Sequence, residues 1–157
     1  MKILGIDPGY DRCGWAILSV IDKKIEFVDA GILQTKKSDS LSLRLHQIFE
    51  GIESLVIAHQ PDIAIIEELF FSNNQKSVIA VAQSRGVIIA AITQHSVPIE
   101  EYTPLQIKAI VAGTGHADKK AVEKMVRLQL QGIPTGLIDD TLDAVAAAYA
   151  YACDHRY

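Results

Sequence analysis

Four acidic positions carry the chemical interest of this chain. Asp7 closes the apolar run Ile3-Leu4-Gly5-Ile6 and is followed by Pro8-Gly9. Glu67 closes a second apolar run, Ile63-Ala64-Ile65-Ile66, with Glu68 directly behind it. Asp140 and Asp143 stand three residues apart, a spacing that puts both on one side of a helical turn. Carboxylates brought together without cations repel one another and raise one another's pKa. A divalent cation removes that cost, and a donor set made only of oxygens suits Mg²⁺ or Mn²⁺ better than zinc. Two such ions, roughly 3.5–4 Å apart, can activate a water and stabilise the leaving oxygen of a phosphodiester. The chemistry implied is metal-assisted cleavage of a nucleic acid. Plainer uses exist for each acid. An Asp before Pro-Gly builds a turn, and an acid at a helix start caps it or meets its dipole, which is how Asp139 is read. The run before Glu67 is apolar at every position, so its alternation does not decide between Glu67 and Glu68.

The elements that must hold these acids follow from the pattern around them. Residues 2–7 read as a strand ending in a tight turn, and 12–20 and 25–33 as two more strands. Both joins are short, which predicts an antiparallel meander. Leu41, Leu45, Ile48, Ile52, Leu55 and Val56 recur at helical spacing over 40–59, and Pro61 stops that helix. Residues 62–67 form a strand covered on both faces. A long helix is expected over 73–95, with Gly86 allowing close packing, then a fifth strand over 97–102. Thr103-Pro104 opens a helix to about 111, Asp118 caps another to about 130, and a last helix runs from 139 toward 153. Its alanines, Ala144, Ala146, Ala147 and Ala148, permit close approach to a sheet. Three strands, then strands alternating with helices, predict an α/β fold with a five-stranded sheet, part antiparallel and part parallel. No linker or repeat divides residues 1–157, so one domain is expected.

The chain has 157 residues, 49% of them apolar and 22% charged, which is ordinary for a globular domain. Cys13 and Cys153 follow no metal or redox spacing and read as reduced thiols. Asp7 comes too early for a signal peptide, and no apolar stretch is long enough to span a bilayer, so the expectation is a cytoplasmic protein with no membrane partner. The net charge of −4 argues at first against nucleic acid. Its distribution argues otherwise. Residues 76–127 carry seven basic side chains (Lys76, Arg85, Lys108, Lys119, Lys120, Lys124, Arg127) against four acidic ones. A local basic surface binds phosphate whatever the total charge.

Several blocks, in order, resemble one family. They are Gly5-Ile6-Asp7-Pro8-Gly9 with Gly14; Pro61 to Glu67 with Phe70; and Gln83-Ser84-Arg85-Gly86-Val87. Tyr102 with Gln106-Ile107-Lys108, the stretch Gly113 to Lys119, and Asp140-Thr141-Leu142-Asp143-Ala144 complete the set. Together they resemble RuvC, the bacterial Holliday-junction resolvases, over nearly the whole chain. The resemblance implies a ribonuclease-H-like fold, a homodimer, and Mg²⁺-dependent cutting of two symmetrically related strands of four-way junction DNA. Two ions per subunit are implied, with Mn²⁺ able to substitute, and the RuvA–RuvB branch-migration proteins as partners. Asp7, Glu67, Asp140 and Asp143 then look like the metal ligands. Glu67 is preferred because the family commonly carries an amide where this chain has Glu68. Lys108 and Lys119 look like the catalytic cations near the scissile phosphate. Phe70 looks like an aromatic that stacks on an unpaired junction base, although a core position would also suit it. Lys76 and Arg85 are further DNA-binding candidates. The helix over 73–95 is the expected dimer face.

Three other readings share part of the pattern. Asp7-Pro8-Gly9 and Gly14 are similar to the phosphate loop of actin-like kinases and chaperone ATPases, but those enclose a nucleotide between two such domains. A second small ribonuclease-H-like nuclease acting on structured RNA would share the opening but not the stretch from Phe70 to Lys119. A junction binder without catalysis would leave four carboxylates unexplained where phosphate must come.

Overall fold

In the computed structural model, residues 1–68 and 75–155 are described. The first three strands, β1 (Lys2–Asp7), β2 (Arg12–Ile21) and β3 (Lys24–Gln34), form the expected meander. Helix α1 (Leu41–His59), strand β4 (Ile63–Glu67), helix α2 (Gln75–Thr93) and strand β5 (Ile99–Tyr102) follow, then helices α3 (Pro104–Ala112), α4 (Lys119–Gln129) and α5 (Asp139–Asp154). The sheet order is β3-β2-β1-β4-β5. β1 pairs antiparallel with β2 and parallel with β4, and β5 is parallel to β4. The helices between β3 and β4 and between β4 and β5 supply the crossovers that parallel pairing needs.

Each sheet face has its own core. Ile3, Ile63 and Ile65 point toward α5, α3 and α4, where Ala144, Ala147, Ala148, Val122 and Ile107 pack on them. Leu4, Ile6, Ala64 and Ile66 point the other way, onto Ile48 and Ile52 of α1 and Ile88 and Ile92 of α2. The central strands are therefore apolar on both faces, as their sequence predicts.

Close approach of α5 decides where the site lies. A Cβ on Gly5 would stand 2.1 Å from the Ala144 carbonyl oxygen, and one on Gly14 would stand 1.9 Å from that of Asp140. Gly14 is paired with Asp7 across the β1–β2 ladder. The missing side chains thus let the first turn of α5 rest on the sheet beside Asp7. Gly86 plays no such part, because a Cβ there would meet nothing within 4 Å; that expectation of close packing is corrected. Asp139 is the first residue of α5 rather than its cap: the cap is Ile138, with no side-chain hydrogen bond. Asp139 and Asp140 instead put negative charge in the first turn, where the helix dipole favours it.

Candidate functional site

Strand parity explains which acids meet. Ile3, Gly5 and Asp7 alternate onto the α5 face of β1, and Ile63, Ile65 and Glu67 onto the same face of β4. β1 and β4 are parallel neighbours, so Asp7 and Glu67 end side by side at one sheet edge. Ligands of open α/β sheets gather beyond such strand ends. Glu68 falls on the opposite parity and is exposed, while its backbone N–H donates to the Tyr102 carbonyl over 2.9 Å. From above, α5 supplies Asp140 and Asp143. One cleft of about 310 Å³ is lined by Asp7, Glu67, Asp140, Asp143, Lys108 and Lys119, with Ile107 and Val122 among its apolar walls.

The two lysines arrive by capped helices. Thr103 and Gln106 form a reciprocal capping box at the start of α3, directly after β5, and Pro104 occupies the first turn. This sets Lys108 over the strand ends. Gly113 closes α3 at φ 78°, and Asp118 opens α4 by accepting from the Ala121 N–H at 2.8 Å. Lys119, the first residue of α4, places its Nζ 2.6 Å from Asp143 Oδ2. That hydrogen bond with Asp143 is the main reason the lysine's pKa lies above its ordinary value.

The carboxylates are not all unpartnered, which corrects the sequence expectation. Asp143 has Lys119, and Arg12 Nε lies 2.9 Å from Asp140 Oδ2. Arg12 opens β2 opposite the end of β1, a position that hairpin pairing places beside the site and that the acid pattern alone did not reveal. Its N–H is not aligned for a hydrogen bond, and the buried Asp140 Oδ2 has none among the described residues. Asp7 and Glu67 have the weaker compensation. Burial, then Glu67, Asp143 and Asp140, push the Asp7 carboxyl up from 3.8 to about 8. Burial and then Asp143 push Glu67 from 4.5 to about 7, against the opposing pull of Lys119, a hydrogen bond with Asp7, and Lys108.

These features bear on a metal. As the side chains stand, no three Asp, Glu, His or Cys among the described residues are gathered to hold an ion. Lys119 and Arg12 are the ion-pair partners of Asp143 and Asp140. The donor chemistry nevertheless fits a hard divalent cation: four carboxylates on one cleft, one buried oxygen lacking a hydrogen bond, and two carboxyls whose charge is poorly compensated.

The remaining candidates lie elsewhere or outside the description. Arg85 Nη2 is 2.6 Å from Glu101 Oε2, with its side chain mostly covered, and does not line the cleft. Lys76 lies on the α2 backbone, and its side chain is outside the described residues, as is Phe70. Cys13 is buried and not in a disulfide, and burial pushes its thiol up to about 12, an inert structural thiol. No described helix is long and apolar enough to cross a membrane.

A family model described as crossover junction endodeoxyribonuclease RuvC matches residues 3–151. A protein of that description from Brachyspira hyodysenteriae is 42% identical, over 99% of this chain and 96% of its own length. One from Thermosipho melanesiensis is also 42% identical, over 100% of both chains. Among solved structures, T. thermophilus RuvC in complex with Holliday junction substrate superposes with a TM-score of 0.92 at 27% identity, covering 99% of this chain and 95% of that one. The yeast mitochondrial Holliday junction resolvase Ydc2 shares the fold at a TM-score of 0.70 and 12% identity, over 96% of this chain and 78% of that one. The five-stranded mixed sheet with its helices is thus the ribonuclease-H-like fold of resolvases.

Proposed function

The chain belongs to the RuvC family of crossover junction endodeoxyribonucleases, and from that premise we infer how its cleft cuts four-way DNA junctions. The observation that carries the reading is the convergence of Asp7 and Glu67, from parallel neighbouring strands, with Asp140 and Asp143 from α5 around one cleft that also holds Lys108 and Lys119. We assign the four carboxylates as ligands for divalent cations, Mg²⁺ with Mn²⁺ as substitute, two per subunit. Bound there, such ions supply an activated water and charge stabilisation for the leaving oxygen.

The protein's own groups then divide the remaining work. Asp7 and Glu67 sit at the ends of buried strands, so their position is set by the sheet. Asp140 and Asp143 are set by the contact of α5 with Gly5 and Gly14. Lys119 holds Asp143 in the free protein, and it places a cation beside the path of the scissile phosphate, where developing negative charge needs one. Lys108 adds a second cation from α3. Ile107 and Val122 give the cleft an apolar wall, and charge interactions strengthen beside a surface of low dielectric constant.

Two symmetric cuts need two sites, so we propose a homodimer with α2 at its twofold, and the RuvA–RuvB branch-migration proteins as partners. Phe70 and Lys76 remain proposed DNA contacts, and Arg85 becomes one only by leaving Glu101. An RNA-directed ribonuclease-H-like activity is not favoured, since the relatives matched over the whole chain are junction endonucleases by name. The test is cleavage of a synthetic four-way DNA junction with Mg²⁺, with EDTA, and with a linear duplex as control. Metal-dependent, junction-selective, paired nicks are expected; equal cutting of the linear duplex would refute the reading.

A further inference from the structure

β1 ends on Asp7, whose ladder partner is Gly14. Pro8 to Asp11, between β1 and β2, lie outside the ladder, so other contacts decide how the chain leaves Asp7. The far half of this turn is tied to β3 and α1. The Tyr10 carbonyl accepts from Thr35 Oγ1 at 2.7 Å and from Arg44 Nη2 at 3.0 Å. The Asp11 carbonyl accepts from the Thr35 N–H at 3.0 Å, and the Asp11 carboxylate pairs with Arg44. The near half, beside Asp7, is tied to α2: Ser84 Oγ donates to the Gly9 carbonyl at 3.0 Å. A Cβ on Gly9 would stand 2.0 Å from the Arg12 carbonyl oxygen, so the turn is folded tightly on itself. Pro8 holds its φ near about −65°, which leaves few soft torsions between Asp7 and Gly9.

Ser84 occupies the stripe of α2 that faces the sheet. Ala80, Ile88, Ala91 and Ile92 of that stripe are buried, and Ser84 is fully buried with them. A serine inside a helix ordinarily turns its hydroxyl to solvent or back to the carbonyl four residues earlier. Thr93 of the same helix bonds back in this way, donating to the Ile89 carbonyl at 2.8 Å. The Ser84 hydroxyl instead crosses to a turn 75 residues away in sequence. Arg85, the next residue, has Nη2 2.6 Å from Glu101 Oε2 of β5, which fixes the rotation of α2 and with it the aim of Ser84. Leaving a buried hydroxyl without its acceptor is costly, so helix and turn are coupled.

We propose that Ser84 is a positioning residue for the cutting reaction: by holding the Gly9 carbonyl it fixes the turn after Asp7, and so the aim of the Asp7 carboxylate into the cleft. The inference rests on the junction-nuclease reading above, in which Asp7 is a metal ligand. Such a site needs its ligands held to within about 0.5 Å. Asp7 is the last residue of β1, so the sheet fixes only the chain before it, and the turn must fix the chain after it. Groups that orient metal ligands typically contribute about 10–100-fold to metal affinity or activity.

The test compares variants of the full-length protein by thermal melting, by junction binding in EDTA, and by single-turnover cutting of a four-way junction. A fourth readout, taken without DNA, is the Mg²⁺ concentration at the midpoint of the Mg²⁺-induced rise in Tm. Cutting is measured below the melting transition of every variant. Ser84→Ala should bind the junction in EDTA as wild type does. Its Mg²⁺ midpoint should rise roughly tenfold, and its rate at saturating Mg²⁺ should fall roughly 10–100-fold. Ser84→Thr keeps the hydroxyl and should restore most of that rate. Ile92→Val loosens the same stripe far from the turn; it should lower Tm and leave the Mg²⁺ midpoint and the rate at wild-type values. If Ser84→Ala lowers Tm but keeps the wild-type midpoint and rate, Ser84 is a packing residue and the inference is overturned. An equal loss of rate in Ile92→Val overturns it too, since loosening of α2 would then be the cause. If Ser84→Thr does not fold, the comparison of Ser84→Ala with Ile92→Val decides alone. A wild-type protein that neither binds nor cuts the junction removes the nuclease reading itself, an outcome distinct from these.

Discussion

Asp7 and Glu67 are held in a folded state that resists their ionisation. Their carboxyls stand at about 8 and about 7, against ordinary values of 3.8 and 4.5. Between those pairs of values the folded protein binds more protons than the unfolded chain, so stability falls as pH rises from about 4 to about 8. A bound divalent cation competes with those protons and supplies the missing charge. Thermal melting should therefore show a metal-free Tm that declines across that range, and a Mg²⁺-induced rise that is larger at pH 8.5 than at pH 5.5. A Tm at pH 8.5 indifferent to Mg²⁺ would count against these acids as ligands. Legibility at this scale was uneven for physical reasons. Asp7 shows itself because Pro8-Gly9 ends its strand, and Asp140 and Asp143 because their spacing matches a helical turn. Glu67 and Glu68 are indistinguishable within a strand apolar on both faces; register against β1 separates them. Arg12 escapes notice because its approach to Asp140 crosses the chain by 128 residues.

At the scale of elements, the site depends on how closely one helix lies on the sheet. The alanines of α5 announce a close contact, and the glycines that receive it are Gly5 and Gly14. Gly14→Ala would drive a methyl against the Asp140 carbonyl, 1.9 Å away. Backbone on both sides leaves no flexible side chain to yield, so a cost of about 2–3 kcal/mol is expected, at the upper end for overpacking. That corresponds to a Tm lower by roughly 4–12 °C for a domain of this size, with cutting lost even at temperatures where the variant is folded. Differential scanning calorimetry with a junction assay checks both. Gly86→Ala, whose added methyl meets nothing within 4 Å in the protomer, should not destabilise the fold itself. The meander, the two crossovers and the helix caps at Thr103 and Asp118 were readable from local pattern. The sheet order and the pairing of Asp7 with Gly14 were not, because they depend on contacts between segments.

For the whole molecule, charge and symmetry set the terms. A net charge of −4 would repel DNA if it were evenly spread, and the cationic groups of α3 and α4 are the ones we propose offset it at the cleft. Paired nicks on a symmetric junction call for two sites, so gel filtration with light scattering should report a dimer both alone and on junction DNA; a strict monomer on the junction would contradict the proposed assembly. The acids beyond β1 and β4 and at the start of α5 are the groups we propose perform the cutting. Asp7→Asn tests this most directly, since the change preserves shape and removes only the charge of one proposed ligand. In a single-turnover assay on a four-way junction with Mg²⁺, the variant is predicted to bind the junction as wild type does and to leave it uncut. Cutting at the wild-type rate would contradict the account.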